Sequence, residues 1–233
     1  MSNATLDKDG PGGPASKATG ASIAFLALRR DILTGALKPG QRLKIEDLRQ
    51  AYNYTANPMR EALNRLAAEG LVNFADQRGF SVAAVSLAEW REIVRARCLV
   101  ESCVLRESIQ NRTNDWEDEI VLSLHRLTRT SRFAPGDQKR ANPDWETNHH
   151  RFHRALLANC NSSILLDFCE ELREKSDRYR HIASISPQAR TSYDEEHTNI
   201  AKAAMDGNAE TATALLERHY RMTLTVVEEY FRE

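Results

Sequence analysis

The spacing of apolar residues changes period along this chain, and that change constrains the fold more than any single motif. From Ser22, the residues Ile23, Leu26, Ala27, Ile32, Leu33 and Leu37 recur at helical spacing until Lys38-Pro39-Gly40 imposes a turn. Ile45 to Tyr52 predicts a second, short helix with Ile45, Leu48 and Ala51 on one face. Thr55-Ala56-Asn57-Pro58 then offers a hydroxyl or amide for an N-cap and a proline suited to a first turn. The helix it opens turns Met59, Ala62, Leu63 and Leu66 inward and closes at Gly70. There the period drops from 3.6 to 2: Leu71–Phe74 and Phe80–Val82 alternate around Asp76-Gln77-Arg78-Gly79, the pattern of a β-hairpin with a charged tip. Three helices followed by a hairpin predict a winged helix-turn-helix.

From Leu87 onward the helical period returns and no further strand pattern is visible. Helices are expected over Leu87–Gln110, Trp116–Arg132, Trp145–Asn159, Ser163–Ile182, Gln188–Asp206 and Ala209–Phe231, with breaks at Pro135-Gly136, Pro143, Asn161, Pro187 and Gly207-Asn208. The reading is therefore a mostly α chain: a flexible arm at residues 1–20, a winged helix-turn-helix over 21–86, and an all-α helical bundle over 87–233. The arm rests on composition, since Gly10, Pro11, Gly12, Gly13 and Pro14 stand among small polar residues without apolar periodicity.

Composition bears on partners and compartment. The formal net charge is -1, yet 21–86 holds nine Lys and Arg against six acidic residues and so carries +3. A mildly basic module on an acidic remainder fits nucleic-acid binding by one part of the chain. No apolar run approaches the length of a membrane span, and no signal-like segment precedes the first helix, so a cytoplasmic protein with no membrane partner is expected. Cys98, Cys103, Cys160 and Cys169 lack CxxC spacing and lie in amphipathic segments, which predicts reduced, mostly buried thiols.

The ordered run Leu33-Thr34-Gly35-Ala36-Leu37-Lys38-Pro39-Gly40-Gln41-Arg42-Leu43, then Asn57 to Val72, then Arg78-Gly79-Phe80-Ser81-Val82, resembles the GntR family of bacterial transcriptional regulators. The all-α remainder resembles the FadR-like subfamily, whose ligand-binding domain is called FCD. The resemblance implies a homodimer that binds double-stranded DNA at a palindromic operator. A recognition helix presents its N-terminal residues to base edges, which places Thr55, Asn57 and Arg60 at DNA. Arg60 can hold a guanine bidentately or clamp a phosphate. Gln77, Arg78 and Gly79 resemble the family's wing, which probes the minor groove. One residue departs: Ala56 stands where relatives commonly carry Arg.

The histidines form a second constellation. His149 and His153, four apart in an expected helix, stack on one face. In the resembled subfamily an acidic residue, the His of a Phe-His pair four residues later, and two further His hold a divalent metal inside the bundle. Phe152-His153, His197 and His219 match three of those positions, and His149 occupies the first in place of the commoner Asp. Four imidazoles would favour a nitrogen-preferring ion such as Zn or Ni. His125, His150 and His181 have no such partners and are expected on solvated faces. Arg97, in Arg97-Cys98-Leu99-Val100-Glu101, resembles an Arg that meets an effector carboxylate in the subfamily; an internal ion pair with Glu101 at i,i+4 is the other reading.

Together these residues point to a regulator, not an enzyme, whose operator binding responds to a small carboxylate effector completing the metal's coordination. A hydrolase using the His cluster would need a placed general base, and no Glu stands in an HExxH relation to these residues. A regulator whose metal is purely structural is the remaining alternative.

Overall fold

The computed structural model describes residues 19–183 and 193–232. Most of the expected arm, the break at Pro187 and the expected start of a helix at Gln188 lie outside them. Of the described residues, those up to Arg30 together with Arg42–Ser81 form one compact unit, and Asp31–Gln41 with the chain from Val82 onward forms a second.

In the first unit, α1 (Gly20–Leu33) begins the order, and it stops four residues before the expected Leu37. The stop is Gly35, whose φ of 77° only glycine adopts without strain, and the Leu37 N–H turns back to the Asp31 carbonyl. Strand β1 (Arg42–Leu43) is too short to show a period and was invisible to pattern reading. Helix α2 (Ile45–Tyr52) has the expected bounds and buries Leu48. Helix α3 (Ala56–Ala68) buries Met59, Ala62, Leu63 and Leu66, the inward face expected of it. Thr55 is its N-cap by position, and Asn57 lies within the first turn. Strands β2 (Val72–Ala75) and β3 (Gly79–Val82) form the expected hairpin, and β1 adds to it in the order β1-β3-β2, with Leu43 opposite Phe80.

The second unit is the helical bundle. Its central helix is α4 (Leu87–Gln110), capped by Ser86, whose hydroxyl accepts from the Glu89 N–H at 3.1 Å. It is followed by α5 (Asn114–Thr128), then α6 (Pro143–Leu157) with Pro143 in the first turn and Asn142 as cap, and α7 (Ser163–Ala183). Helices α8 (Tyr193–Met205) and α9 (Ala209–Tyr230) complete the order. Helix α4 packs on α9, α7 and α6, while α5 packs on α6 and α8. Two side chains close the C-terminal end of α6, where the last carbonyls have only tight i,i+3 backbone partners: Trp116 Nε1 donates to Ala155 O and Ser108 Oγ to Leu157 O, both at 2.8 Å.

The bundle also corrects the sequence reading. A second small sheet, β4 (Phe133–Ala134) antiparallel to β5 (Asp137–Ala141), stands between α5 and α6 where only a break was expected. Its hairpin corner is Pro135-Gly136, with Gly136 at φ 78°, the residue pair a type II turn asks for. Strands this short, with no apolar alternation, leave no periodic signal. Cys98, Cys160 and Cys169 are buried free thiols and Cys103 is an exposed one. No helix among the described residues is long and apolar enough to cross a membrane.

Leu105 lies in the C-terminal part of α4 with no exposed surface. Leu105→Ala should cost about 2–5 kcal/mol through lost transfer energy and the cavity left behind. The check is the urea midpoint, which should fall at an unchanged denaturant slope.

Candidate DNA interface and metal centre

In the first unit, Thr55, Asn57 and Arg60 are all exposed. Arg60 lines an open groove with Asn57, Glu61, Asn64 and Arg65, running along the outer face of α3. Glu61 and Asn64 were not singled out from sequence, yet their helical spacing from Asn57 and Arg60 carried that signal. Gln77, Arg78 and Gly79 form the exposed tip of the β2–β3 hairpin. Gln77 and Gly79 both hold positive φ, at 63° and 74°, and the Arg78 N–H closes the turn on Ala75 O. Arg42 donates from Nη2 to Arg78 O at 3.0 Å, so β1 braces the tip from behind.

In the bundle, His149, His153, His197 and His219 converge. All are buried, and each offers a ring nitrogen within 4.8 Å of every other. Helix α6 supplies the first two on one face, α8 the third and α9 the fourth. His149 stacks on Trp145 with ring centroids 4.7 Å apart, and its Nε2 lies 3.1 Å from His153 Nε2. The group is held from outside. His219 Nδ1 faces Glu196 Oε2 at 2.9 Å, and since a carboxylate only accepts, Nδ1 carries the proton and Nε2 turns inward bare. His153 Nδ1 faces the Tyr220 hydroxyl at 3.4 Å, and that hydroxyl donates to Glu101 Oε2.

Glu101 is shared with Arg97. Arg97 donates from Nε to Oε1 at 2.6 Å and from Nη2 to Oε2 at 3.3 Å, donates from Nη1 to Ser176 at 3.0 Å, and places its guanidinium carbon 4.0 Å from the centroid of the Tyr220 ring. Of the two readings of Arg97, the internal ion pair is present in the structure. Burial opposes the charge on Arg97, and Glu101 more than restores it, holding its pKa above the ordinary value. The same guanidinium lines a small, narrow pocket with His149, Ser176, Arg180, His219 and Thr223, of about 10 Å³ free volume.

Burial drives the pKa of His149 and His153 well below the usual 6.5, reinforced for His149 by His153 and Arg180 and for His153 by His219 and His197. Both rings are neutral at physiological pH and can offer a lone pair. A set of neutral imidazoles at this spacing fits a nitrogen-preferring divalent ion.

The remaining histidines divide. His125 is exposed as expected. His150 and His181 are not on solvated faces: His150 Nε2 meets Glu170 at 2.9 Å, and His181 Nδ1 donates to Asp177 O at 2.7 Å. Sequence spacing could not reveal the partner of His150, because Glu170 lies on α7 and its approach depends on packing, whereas His181 bonds the carbonyl of Asp177 four residues earlier on its own helix. Glu196, Arg180, Ser176 and Tyr220 were likewise missed, although Glu196 adjoins His197 in the chain.

The native state cannot easily protonate His149 and His153, whereas the unfolded chain titrates them near 6.5. As pH falls below that value the unfolded state binds more protons, so metal-free protein should lose stability by about 1.4 kcal/mol per histidine per pH unit. Urea midpoints in chelator at successive pH values check this, and His153→Gln should flatten the slope.

Comparison with known proteins follows the same division of the chain. The family described as bacterial regulatory proteins, gntR family, matches residues 22–82, and the FCD domain matches residues 92–222. The HTH-type transcriptional regulator BphR of Paraburkholderia xenovorans is 34% identical over 206 residues, which cover 88% of this chain and 84% of that protein. The HTH-type transcriptional repressor GlaR of Escherichia coli is 27% identical over 206 residues, covering 87% and 93%. Among solved structures, E. coli McbR/YncC superposes with a TM-score of 0.72 at 21% identity, covering 92% of this chain and 100% of that one, a likeness of fold. These relatives are regulators and not enzymes, which sets aside the hydrolase reading. The chain belongs to the GntR family of bacterial transcriptional regulators, joining a winged helix-turn-helix to an FCD domain in the FadR-like manner.

Proposed function

We propose that this regulator works as a homodimer on a palindromic operator, and that a small organic acid bound at a divalent metal in the FCD domain sets its affinity for DNA. The observation that carries the metal reading is the convergence of four buried imidazoles within 4.8 Å. His153, His197 and His219, with His149, would hold the ion, and the ion when bound supplies an electrophile for a carboxylate. Arg97 and Arg180, already paired with Glu101, Glu146 and Asp177, bring guanidinium groups to the adjoining pocket, and Ser176 adds a hydroxyl. Occupancy would shift the bundle between two states and so the spacing of two winged helices.

A purely structural metal has one specific observation in its favour: Arg97 already has a carboxylate partner in Glu101, with which an effector would compete. Metal content of purified protein and melting temperatures across a panel of organic acids, with and without Zn or Ni, separate the readings. Near-stoichiometric metal per chain is expected, with acids raising the melting temperature only when metal is present. His153→Ala, His197→Ala and His219→Ala should each lower occupancy and melting temperature together. A metal that stabilises while every acid is silent would favour the structural reading, and protein indifferent to metal would remove the site.

At the DNA interface, Arg60→Ala should weaken operator binding by about 1–3 kcal/mol per half-site while the fold persists, because the side chain is exposed. Arg78→Ala should instead flatten the salt dependence with little change in sequence preference. Fluorescence anisotropy at several salt concentrations measures both, and unchanged binding by Arg60→Ala at matched salt would refute its placement at DNA.

A further inference from the structure

Arg180, on α7, offers its three guanidinium nitrogens to three different acceptors. Nε donates to Asp177 Oδ1 at 3.1 Å, Nη2 donates to Glu146 Oε2, and Nη1 faces His149 Nδ1 at 3.5 Å. One carboxylate comes from its own helix and the other from α6, and together they fix the plane of the fork. The third nitrogen is therefore aimed at His149 by two ion pairs, and it cannot turn away without disturbing them.

A guanidinium has donors only, so the atom that faces it must be a lone pair; two N–H groups pointed at each other across 3.5 Å would repel. A neutral imidazole has one N–H and one lone pair. With Nδ1 bare, the proton of His149 stands on Nε2. The far side of the ring agrees, since Nε2 lies 3.1 Å from the Nε2 of His153, whose other nitrogen faces Tyr220 and Glu101. The His149 Nε2–H donates there to a bare nitrogen. His153 and His219 thus present lone pairs to the centre of the cluster, whereas His149 presents a proton, and a metal ion takes only a lone pair.

We propose that Arg180 is a positioning residue that makes His149 a conditional metal ligand: His153, His197 and His219 hold the ion unaided, and His149 joins only when Arg180 withdraws from its Nδ1. The inference rests on the metal reading of the cluster. The ring keeps one proton throughout, lost from Nε2 and gained at Nδ1 by exchange with solvent. Arg180 also lines the pocket beside the cluster, so an anion that pairs with its guanidinium there would release His149 to the metal. Anion and metal would then strengthen each other's binding by the same factor.

The test is a double-mutant cycle on the full-length protein, with Zn affinity measured by chelator competition in the parent, Arg180→Met, His149→Asp and the double variant. Arg180→Met should tighten Zn binding roughly tenfold or more with His149 in place. It should tighten binding far less with Asp there, because a carboxylate accepts from Arg180 and still has lone pairs for the metal. Simple repulsion between Arg180 and the ion predicts the same factor in both backgrounds, and that result would overturn the proposal. Nitrogen NMR of metal-free protein gives a second readout: His149 should be the Nε2–H tautomer in the parent and the Nδ1–H tautomer in Arg180→Met. An Nδ1–H tautomer in the parent would overturn the proposal by itself. Arg180→Gln removes the charge and can accept from an Nδ1–H, so it serves the same comparison should the Met variant fail to fold. Failure of every variant to bind Zn would fell the metal reading and this inference with it, whereas Zn binding indifferent to Arg180 would fell only the inference.

Discussion

Four imidazoles can share a dry interior only while they stay uncharged. A charged His149 or His153 would sit beside its fellows and beside Arg180 with no water to screen it, and desolvation holds both rings neutral. Much of the surrounding bundle is arranged around that constraint. The carboxylates near the cluster stand at its rim: Glu196 accepts from the neutral ring of His219, while Glu101 is ion-paired with Arg97 and Glu146 with Arg180. Each ion pair keeps a charge compensated while leaving the imidazoles to face one another.

These rim pairs also form a chain of oriented groups across four helices. Arg180 leads through His149, His153 and Tyr220 to Glu101 and Arg97, and every link has a donor meeting an acceptor once the proton of His149 stands on Nε2. Such a network is sensitive to any added charge, because moving one proton reverses the role of its neighbour. That sensitivity fits the proposed response to a small organic acid.

The winged helix-turn-helix is organised by a simpler rule. The apolar face of α3 is fully committed to the core through Met59, Ala62, Leu63 and Leu66, so its opposite face is left to Asn57, Arg60, Glu61 and Asn64. The exposed face is polar and rigidly backed, as base and phosphate contacts require. At the hairpin tip, Arg42 bonded to the Arg78 carbonyl holds the backbone in place while the Arg78 side chain remains exposed.

The sequence by itself determined the period of each element, and with it the mostly α class, the hairpin after the third helix, and the pairing of His149 with His153 on one face. Those features follow from spacing along one chain, which local geometry translates directly into position. The resemblance to a known family added His197 and His219 to the same set, a grouping that spacing alone could not make across separate helices. Only tertiary structure decided the rest. Strands β1 and β4 are too short for any period and β5 lacks apolar alternation; β1 exists because β3, far along the chain, completes its hydrogen bonds, and β4 and β5 because each pairs with the other across the Pro135-Gly136 turn. Glu196 behind His219, Glu170 against His150 and Arg180 beside His149 lie 20 to 31 residues from their partners. The role of a buried histidine is set by which group faces its second nitrogen, and packing alone brings that group there.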